Sequence, residues 1–198
     1  PEYMFRLVIV NTDLPKEGAL DGGIKLKLPT DPLVVETVLK TLHAPTLEHC
    51  ICHRFDSIIP GLKDMSIDLN ELAQINELAT CIRSIGEDGL LPKYKALLSS
   101  VGCTEVQSAL QLAKEMEAFT FYPDMASPTD YADHILAEQH NIRPGDSWYP
   151  YIDRYSYGCS VIEKNHVSQT EYGFIKRTDG SPIITSLDNS EPSMELQL

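Results

Sequence analysis

Hydrophobic and polar residues alternate in two stretches near the start of the chain, with the period of two that is typical of half-buried β-strands. The stretches are Tyr3–Val10 and Ile24–Leu28. The segment between them, Asn11–Gly23, contains proline and several glycines and therefore predicts a loop. The first stretch has no cationic segment before it, so it predicts a strand and not a signal peptide.

A helical period follows the second alternating stretch. Asp31 and Pro32 predict the N-cap and the first residue of a helix, because a short polar side chain accepts the free backbone N–H groups and proline lacks one. A third strand is predicted over Leu47–Ile59. Together these elements predict an N-terminal ββαβ domain over residues 1–62.

The central part of the chain has apolar residues at helical spacing, which predicts a compact helical module over residues 63–118. Its first helix has two candidate caps, Ser66 and Asp68, and is predicted to run to about Ile85 and to be broken by Gly86. Two shorter helices follow, and Thr104 is the predicted cap of the second.

The C-terminal part predicts an α+β domain over residues 119–177. Its predicted elements are an extended aromatic segment at Phe119–Pro123, a helix over Thr129–Gln139 and a strand over Glu171–Arg177. The segment 145–177 has too little predicted helix to close a core of its own. We therefore expect it to form a dimer contact.

These segments place the chain in the α+β class. The expected architecture is an elongated chain of small subdomains, with an N-terminal ββαβ sheet domain, a central helical module and a C-terminal α/β segment with short strands. Residues 178–198 are polar and aperiodic, which predicts a disordered tail. No run of about 18 apolar residues predicts a membrane span. Five cysteines, an odd number, indicate reduced thiols and a cytoplasmic location.

The net charge of −13 is unevenly distributed along the chain, and this distribution bears on the function. Residues 64–153 carry fifteen acidic and five basic residues, a net charge of −10. A nucleic-acid-binding protein usually has the opposite sign, so direct nucleic-acid binding is not expected. A general solubility charge does not need to be concentrated in one part of the chain.

The carboxylates of this central region are the predicted partner-binding groups. Several are three or four residues apart on predicted helices, a spacing that places neighbours on one face. A solvated helix face is the simpler interpretation of such spacing. The set comprises Asp68, Glu71, Glu77, Glu87, Asp88, Glu115, Glu117, Asp124, Asp130, Asp133, Glu138, Asp146 and Asp153.

Two other patterns suggest chemistry, but neither predicts an enzyme. His49-Cys50-Ile51-Cys52-His53 places its histidines and cysteines on opposite faces of a strand, and its spacing is not that of a zinc site. Cys159 with His134 or His166 would be a nucleophile–base pair, and it identifies a small hydrolase as an alternative. No nucleophile elbow, phosphate-binding loop or dinucleotide-binding motif accompanies them. No metal, cofactor or catalytic residue is predicted.

Five aromatic residues lie close together in the sequence on either side of Pro150. A stacking platform for single strands is one interpretation, but the local charges do not form a basic groove. Packing at a homodimer contact is favoured, because aromatic residues are enriched at interfaces. The residues are Trp148, Tyr149, Tyr151, Tyr155 and Tyr157.

Several short motifs, taken in order, resemble the ArdA-type antirestriction proteins. Residues 66–79, SIDLNELAQINELA, resemble the family's LNELA helix. They are followed by Val106–Leu112, by the aromatic segment at 119–123 and by the acidic Asp130-Tyr-Ala-Asp133. Tyr151-Ile-Asp153 and Tyr172-Gly-Phe-Ile175 resemble the family's last two motifs. The resemblance covers residues 3–177.

The chain also departs from the family pattern. Lys25 stands where the family usually has an aromatic residue, Arg154 replaces another aromatic residue and Cys159 replaces a base. The helix predicted after Asp68 carries fewer acidic residues than is usual. These departures concern potency and target range more than fold.

The resemblance implies a specific function. ArdA-type proteins come from conjugative plasmids and transposons, form elongated dimers that imitate bent duplex DNA, and occupy the DNA groove of type I restriction-modification enzymes. The expected partner is the methyltransferase core of such an enzyme, and no cofactor or catalysis is involved. The alternative is an acidic adaptor that binds a different basic protein.

Overall fold

The computed structural model describes residues 3–13 and 23–183. The chain divides into two compact units, one comprising residues 1–98 and 102–115 and the other residues 99–101 and 116–198. Each unit contains one three-stranded antiparallel sheet with helices. The α+β class is thus confirmed. The elongated arrangement and the three predicted domains stay predictions.

The first unit begins with the predicted ββαβ elements. Strands β1 (Phe5–Asn11), β2 (Ile24–Leu28) and β3 (Cys50–Ser57) form a sheet in the order β2-β1-β3, and helix α1 (Pro32–Thr41) lies between β2 and β3 in sequence. The strand predicted from Leu47 begins at Cys50 instead, because Leu47–His49 form a 3-10 turn.

Both ends of α1 are fixed by side chains. The predicted cap is confirmed, since the Asp31 carboxylate accepts a hydrogen bond from the Leu33 amide at 2.8 Å. Asn11 was predicted to begin a loop, but it is the last residue of β1, and its buried side chain donates to the Leu42 carbonyl at 3.0 Å. A buried amide requires such a partner. Most of the predicted loop, residues 14–22, lies outside the described residues.

Three helices complete the first unit: α2 (Leu72–Glu87), α3 (Leu91–Val101, whose last three residues cluster with the second unit) and α4 (Val106–Lys114). The Asn76 side chain joins α2 to the segment after β2 by accepting from the Thr30 amide at 2.8 Å and donating to the Thr30 carbonyl at 3.1 Å. The buried Tyr94 hydroxyl donates to the Ala109 carbonyl at 2.9 Å and so joins α3 to α4.

The predicted cap at Asp68 is confirmed, since its carboxylate accepts from the Asn70 amide at the start of a 3-10 turn, Leu69–Glu71, that leads directly into α2. Two other predicted helix boundaries in this unit are wrong. Gly86 does not break α2, which continues through it. Thr104 does not cap α4, because the N-cap position is Glu105 and its side chain makes no capping hydrogen bond.

The second unit contains strands β4 (Phe119–Tyr122), β5 (Ser168–Thr170) and β6 (Gly173–Arg177), in the order β4-β6-β5, and helices α5 (Pro128–His140) and α6 (Arg154–Lys164). Its core is formed by side chains from both helical and strand segments, with half-buried side chains from α6 packed against it. The core residues are Tyr131, Ile135, Val167 and Phe174.

Residues 145–177 contain a helix that was not predicted, α6, and it packs against α5. The core of the unit still needs Tyr131 and Ile135 from α5, outside this segment, and the expected dimer contact stays a prediction. The reason that α6 was not predicted lies in its sequence, since Gly158 is its only fully buried residue and no strong apolar stripe marks its inner face.

Gly158 of α6 lies against the backbone at the start of α5. A Cβ atom added to it would lie 2.0 Å from the carbonyl oxygen of Pro128 and 2.6 Å from its carbonyl carbon. Any larger residue would therefore collide with backbone at the start of α5, and backbone cannot rotate away.

The predicted tail is described only in part. Residues 178–183 form a turn in which the Thr178 amide donates to the Ala118 carbonyl at 2.9 Å and the Gly180 amide donates to the Arg177 carbonyl at 3.1 Å. The rest of the predicted disordered segment, 184–198, lies outside the described residues.

Candidate partner-binding surface

Twelve of the thirteen predicted partner-binding carboxylates are exposed, and Asp133 is half-buried. Six belong to the first unit and seven to the second. The first group is Asp68, Glu71, Glu77, Glu87, Asp88 and Glu115, and the second is Glu117, Asp124, Asp130, Asp133, Glu138, Asp146 and Asp153. Each unit therefore presents several of these carboxylates to solvent.

Two of these carboxylates are fixed at the starts of helices. Asp130 forms a capping box at α5, accepting from the Ser127 amide at 2.8 Å and the Ala126 amide at 3.0 Å. Asp153 caps α6 by accepting from the Ser156 amide at 3.1 Å and the Ser156 hydroxyl at 2.7 Å. Hydrogen bonds from these serines hold the pKa of both carboxyls below its usual range. Both groups are therefore charged and oriented at neutral pH.

Other members of the set accept bonds from nearby polar groups. Asp68 accepts from the Asn70 amide at 2.9 Å, and Asp146 accepts from the Arg143 amide at 2.6 Å. Glu115 accepts from the Gln111 side chain at 3.0 Å. These donors are neutral, so the carboxylates keep their charge while their positions are restricted.

Three members of the set are paired with a basic side chain. Glu77 contacts Lys114 at 2.6 Å, and Glu138 contacts His134 at 3.2 Å. Asp133 contacts Arg154, as described next. A carboxylate paired with lysine or arginine presents less net charge to a partner, so Glu77 and Asp133 contribute less to an anionic surface than unpaired carboxylates do.

A cluster of three side chains joins α5 to the segment before α6. The Tyr149 hydroxyl donates to the Asp133 carboxylate at 3.0 Å and accepts from Arg154 Nη1 at 2.6 Å. Arg154 also donates to the second Asp133 oxygen at 3.0 Å, and its guanidinium lies 4.6 Å from the centre of the Tyr149 ring. Asp133 is thus held inside a structural cluster. The residues are five and sixteen positions apart, and no local sequence signal connects them.

The five predicted dimer-contact aromatics divide into two groups. Trp148, Tyr151 and Tyr155 are 73%, 84% and 62% exposed, and we call them the aromatic face. Tyr149 belongs to the cluster above, and Tyr157 packs against the core with its hydroxyl 3.1 Å from His140 Nε2. Because aromatic residues are enriched at interfaces, these three exposed rings are the candidates for contact with a partner.

The side chains of the two patterns that suggested metal or catalytic chemistry have the following surroundings in the described residues. Within residues 3–13 and 23–183, no group of three or more histidine, cysteine or acidic side chains is arranged to hold a metal ion. His49 pairs with Asp13, and the Cys52 thiol contacts the Arg54 carbonyl. Cys159 is exposed on α6, and in the described part of the chain it has no hydrogen bond to a histidine.

The fold and these surfaces define an acidic α+β protein with exposed carboxylates in both units and an aromatic face in the second. The helices of the described ranges include none with the length and apolar character needed to cross a membrane. The chain matches no protein-family model, and no curated protein matches it significantly. The similarity to ArdA-type proteins therefore rests on the motifs quoted above.

Proposed function

We propose that this chain inhibits type I restriction-modification enzymes by occupying their DNA-binding groove as a mimic of duplex DNA. The observation that carries the proposal is the exposure of twelve of the thirteen predicted carboxylates, in a region with a net charge of −10. The resemblance of the ordered motifs to ArdA-type proteins supports this choice of enzyme class. Incoming mobile DNA, on a conjugative plasmid or transposon, would be protected in the cytoplasm.

The carboxylates suit this function because many are already positioned. A groove lined with lysine and arginine gains charge pairs and releases counterions when an anionic partner enters, as it does with DNA. The caps at Asp68, Asp130 and Asp153 fix carboxylates before binding, which lowers the entropy lost on association. The proposed action needs no catalysis and no cofactor.

The aromatic face has a place in the same proposal. Trp148, Tyr151 and Tyr155 are the residues of the predicted dimer contact that are available to a second copy. A homodimer would double the number of carboxylates offered to one enzyme.

A restriction-protection assay tests the proposed function. Unmodified phage is plated on hosts that carry one type I system from each of several subfamilies, with and without expression of this protein. We expect the plating efficiency to rise by at least about tenfold on one or more hosts, because each inhibited enzyme leaves incoming DNA uncut. A host with a type II system is the control and should show no change. No rise on any type I host would contradict the proposal.

A second candidate function is an acidic adaptor that binds a different basic protein. It is favoured by the pairing of Glu77 with Lys114 and of Asp133 with Arg154, which makes the surface less uniformly anionic than duplex DNA. An adaptor would leave type I restriction unaffected, so the plating assay separates the two functions.

A further inference from the structure

Four cations lie on the solvent-facing side of the N-terminal sheet, although the chain as a whole is acidic. Cross-strand pairing places Arg6 opposite Lys27 and Asp56, and Val8 opposite Lys25 and Arg54. Directly paired residues point to the same side of a sheet. We call this surface the basic face. Among the described residues it combines four cations with one carboxylate.

The cations of the basic face differ in their exposure to solvent and in the contacts that they already make. Arg6 is bound to Asp56 at 2.6 Å, and its guanidinium lies 5.6 Å from the centre of the Tyr3 ring. The Lys27 ammonium lies 5.8 Å from the same ring. Lys25 is exposed, and the Arg54 side chain is 67% exposed although it contacts Asp56 at 3.4 Å. Lys25 and Arg54 are therefore the groups best placed to meet an anionic partner.

An apolar end adjoins these cations. Val10, which is half-buried, is paired with Ile51, which is 51% exposed. The face thus has three cross-strand rows, centred on Arg6, Val8 and Val10 of β1. Cations flank β1 in the first two rows, and an apolar side chain flanks it in the third.

We propose that the basic face docks a short extended segment of a partner protein, with carboxylates at two alternate positions and an apolar side chain at the next alternate position. Side chains two residues apart on an extended chain are about 6.6–6.8 Å apart and point the same way. The rows of Arg6, Val8 and Val10 follow one another at that spacing along β1, and a bulge between Val8 and Ile9 shifts Ile51 on β3 by one residue relative to Arg54. Carboxylates would pair with the two basic rows, and the apolar side chain would cover Ile51.

The dimensions and chemistry of the face favour a peptide over a nucleic acid. Three strands and the distance from Arg6 to Val10 give an area of about 10 by 14 Å, whereas single-strand sites extend over about 4–16 nucleotides. Single-strand sites also need exposed rings on which bases stack. The aromatic ring at this face, Tyr3, is already in contact with Arg6 and Lys27.

The test is an NMR titration of the whole, isotope-labelled protein with the peptide acetyl-SESESVS. We expect saturable shifts of amides in β1, β2 and β3. The double variant Lys25→Glu with Arg54→Glu should weaken binding of the peptide by about tenfold, because two attractive contacts become repulsive. The neutral pair Lys25→Gln with Arg54→Gln should weaken it by about threefold, which keeps the test valid if the reversal disturbs folding.

The matched control reverses two exposed lysines of the same unit that lie off the sheet, Lys40→Glu with Lys63→Glu. It changes the net charge equally and should alter the affinity by less than about twofold. Equal weakening by both double variants, or no saturable shift, would overturn the proposal. An eight-nucleotide oligothymidylate that binds the same amides more tightly than the peptide would assign the face to nucleic acid instead. Restriction protection should be unchanged by Lys25→Gln with Arg54→Gln, so this inference and the proposed function can fail separately.

Discussion

Replacing Gly158 with alanine is expected to destabilise the C-terminal unit by about 3 kcal/mol or more. The added Cβ would lie 2.0 Å from the Pro128 carbonyl oxygen, so α5 and α6 would have to separate. Separation would expose the core formed by Tyr131, Ile135 and Phe174. Urea denaturation followed by circular dichroism measures the loss. Hydrogen exchange of the α5 and α6 amides assigns it to this unit.

The matched control is Gly86→Ala in α2. There the added Cβ would lie 3.3 Å from the tip of the flexible Leu91 side chain. Alanine is also favoured over glycine in a helix interior by about 0.5–1 kcal/mol. We expect this variant to be as stable as the parent or slightly more stable. Equal stability of the two variants would show that the approach of α6 to α5 at Gly158 is not as close as described.

Removing four negative charges from the central region is expected to weaken inhibition by about thirtyfold, at about 0.5 kcal/mol for each exposed charge. The variant combines four exposed residues for which the described part of the chain provides no side-chain hydrogen bond or ion pair. Their loss should therefore leave the fold intact. The substitutions are Glu71→Gln, Glu87→Gln, Asp88→Asn and Glu117→Gln. The measurement is the concentration that half-inhibits DNA cleavage by the most sensitive type I enzyme.

A second quadruple variant has the same total charge, but its changes lie outside residues 64–153. It consists of Glu36→Gln, Glu48→Gln, Glu163→Gln and Glu171→Gln, all at exposed positions. Local charge pairing predicts less than about a threefold effect for it, because exposed charges farther apart than the Debye length of about 8 Å are screened. If the two variants lost inhibition equally, total charge and not its location would be responsible.

The elements with strong local signals could be predicted from the sequence. The alternation in β2 and the Asp31-Pro32 start of α1 agree with the structure, because period and capping are properties of a few neighbouring residues. Helix α6 could not be predicted, because its inner face consists of a glycine and half-buried side chains. Such a face gives no apolar stripe in the sequence, and its burial depends on contact with α5.

The surfaces were predictable to different extents. Exposure of the acidic side chains follows from their charge and was expected. The binding of Asp133 by Tyr149 and Arg154 depends on how the chain returns to α5, so it had no sequence signal. The basic face had no sequence signal either, because Lys25 and Arg54 lie on different strands that both pair with β1.

Competition with DNA tests the central claim most directly. The measurement is the equilibrium affinity of this protein for the methyltransferase core of an inhibited type I enzyme, with and without duplex DNA that contains its recognition sequence. DNA mimicry predicts mutually exclusive binding and an affinity that falls by about a hundredfold or more between about 50 and 500 mM salt. Simultaneous binding of protein and DNA, or an affinity that barely changes with salt, would contradict the account.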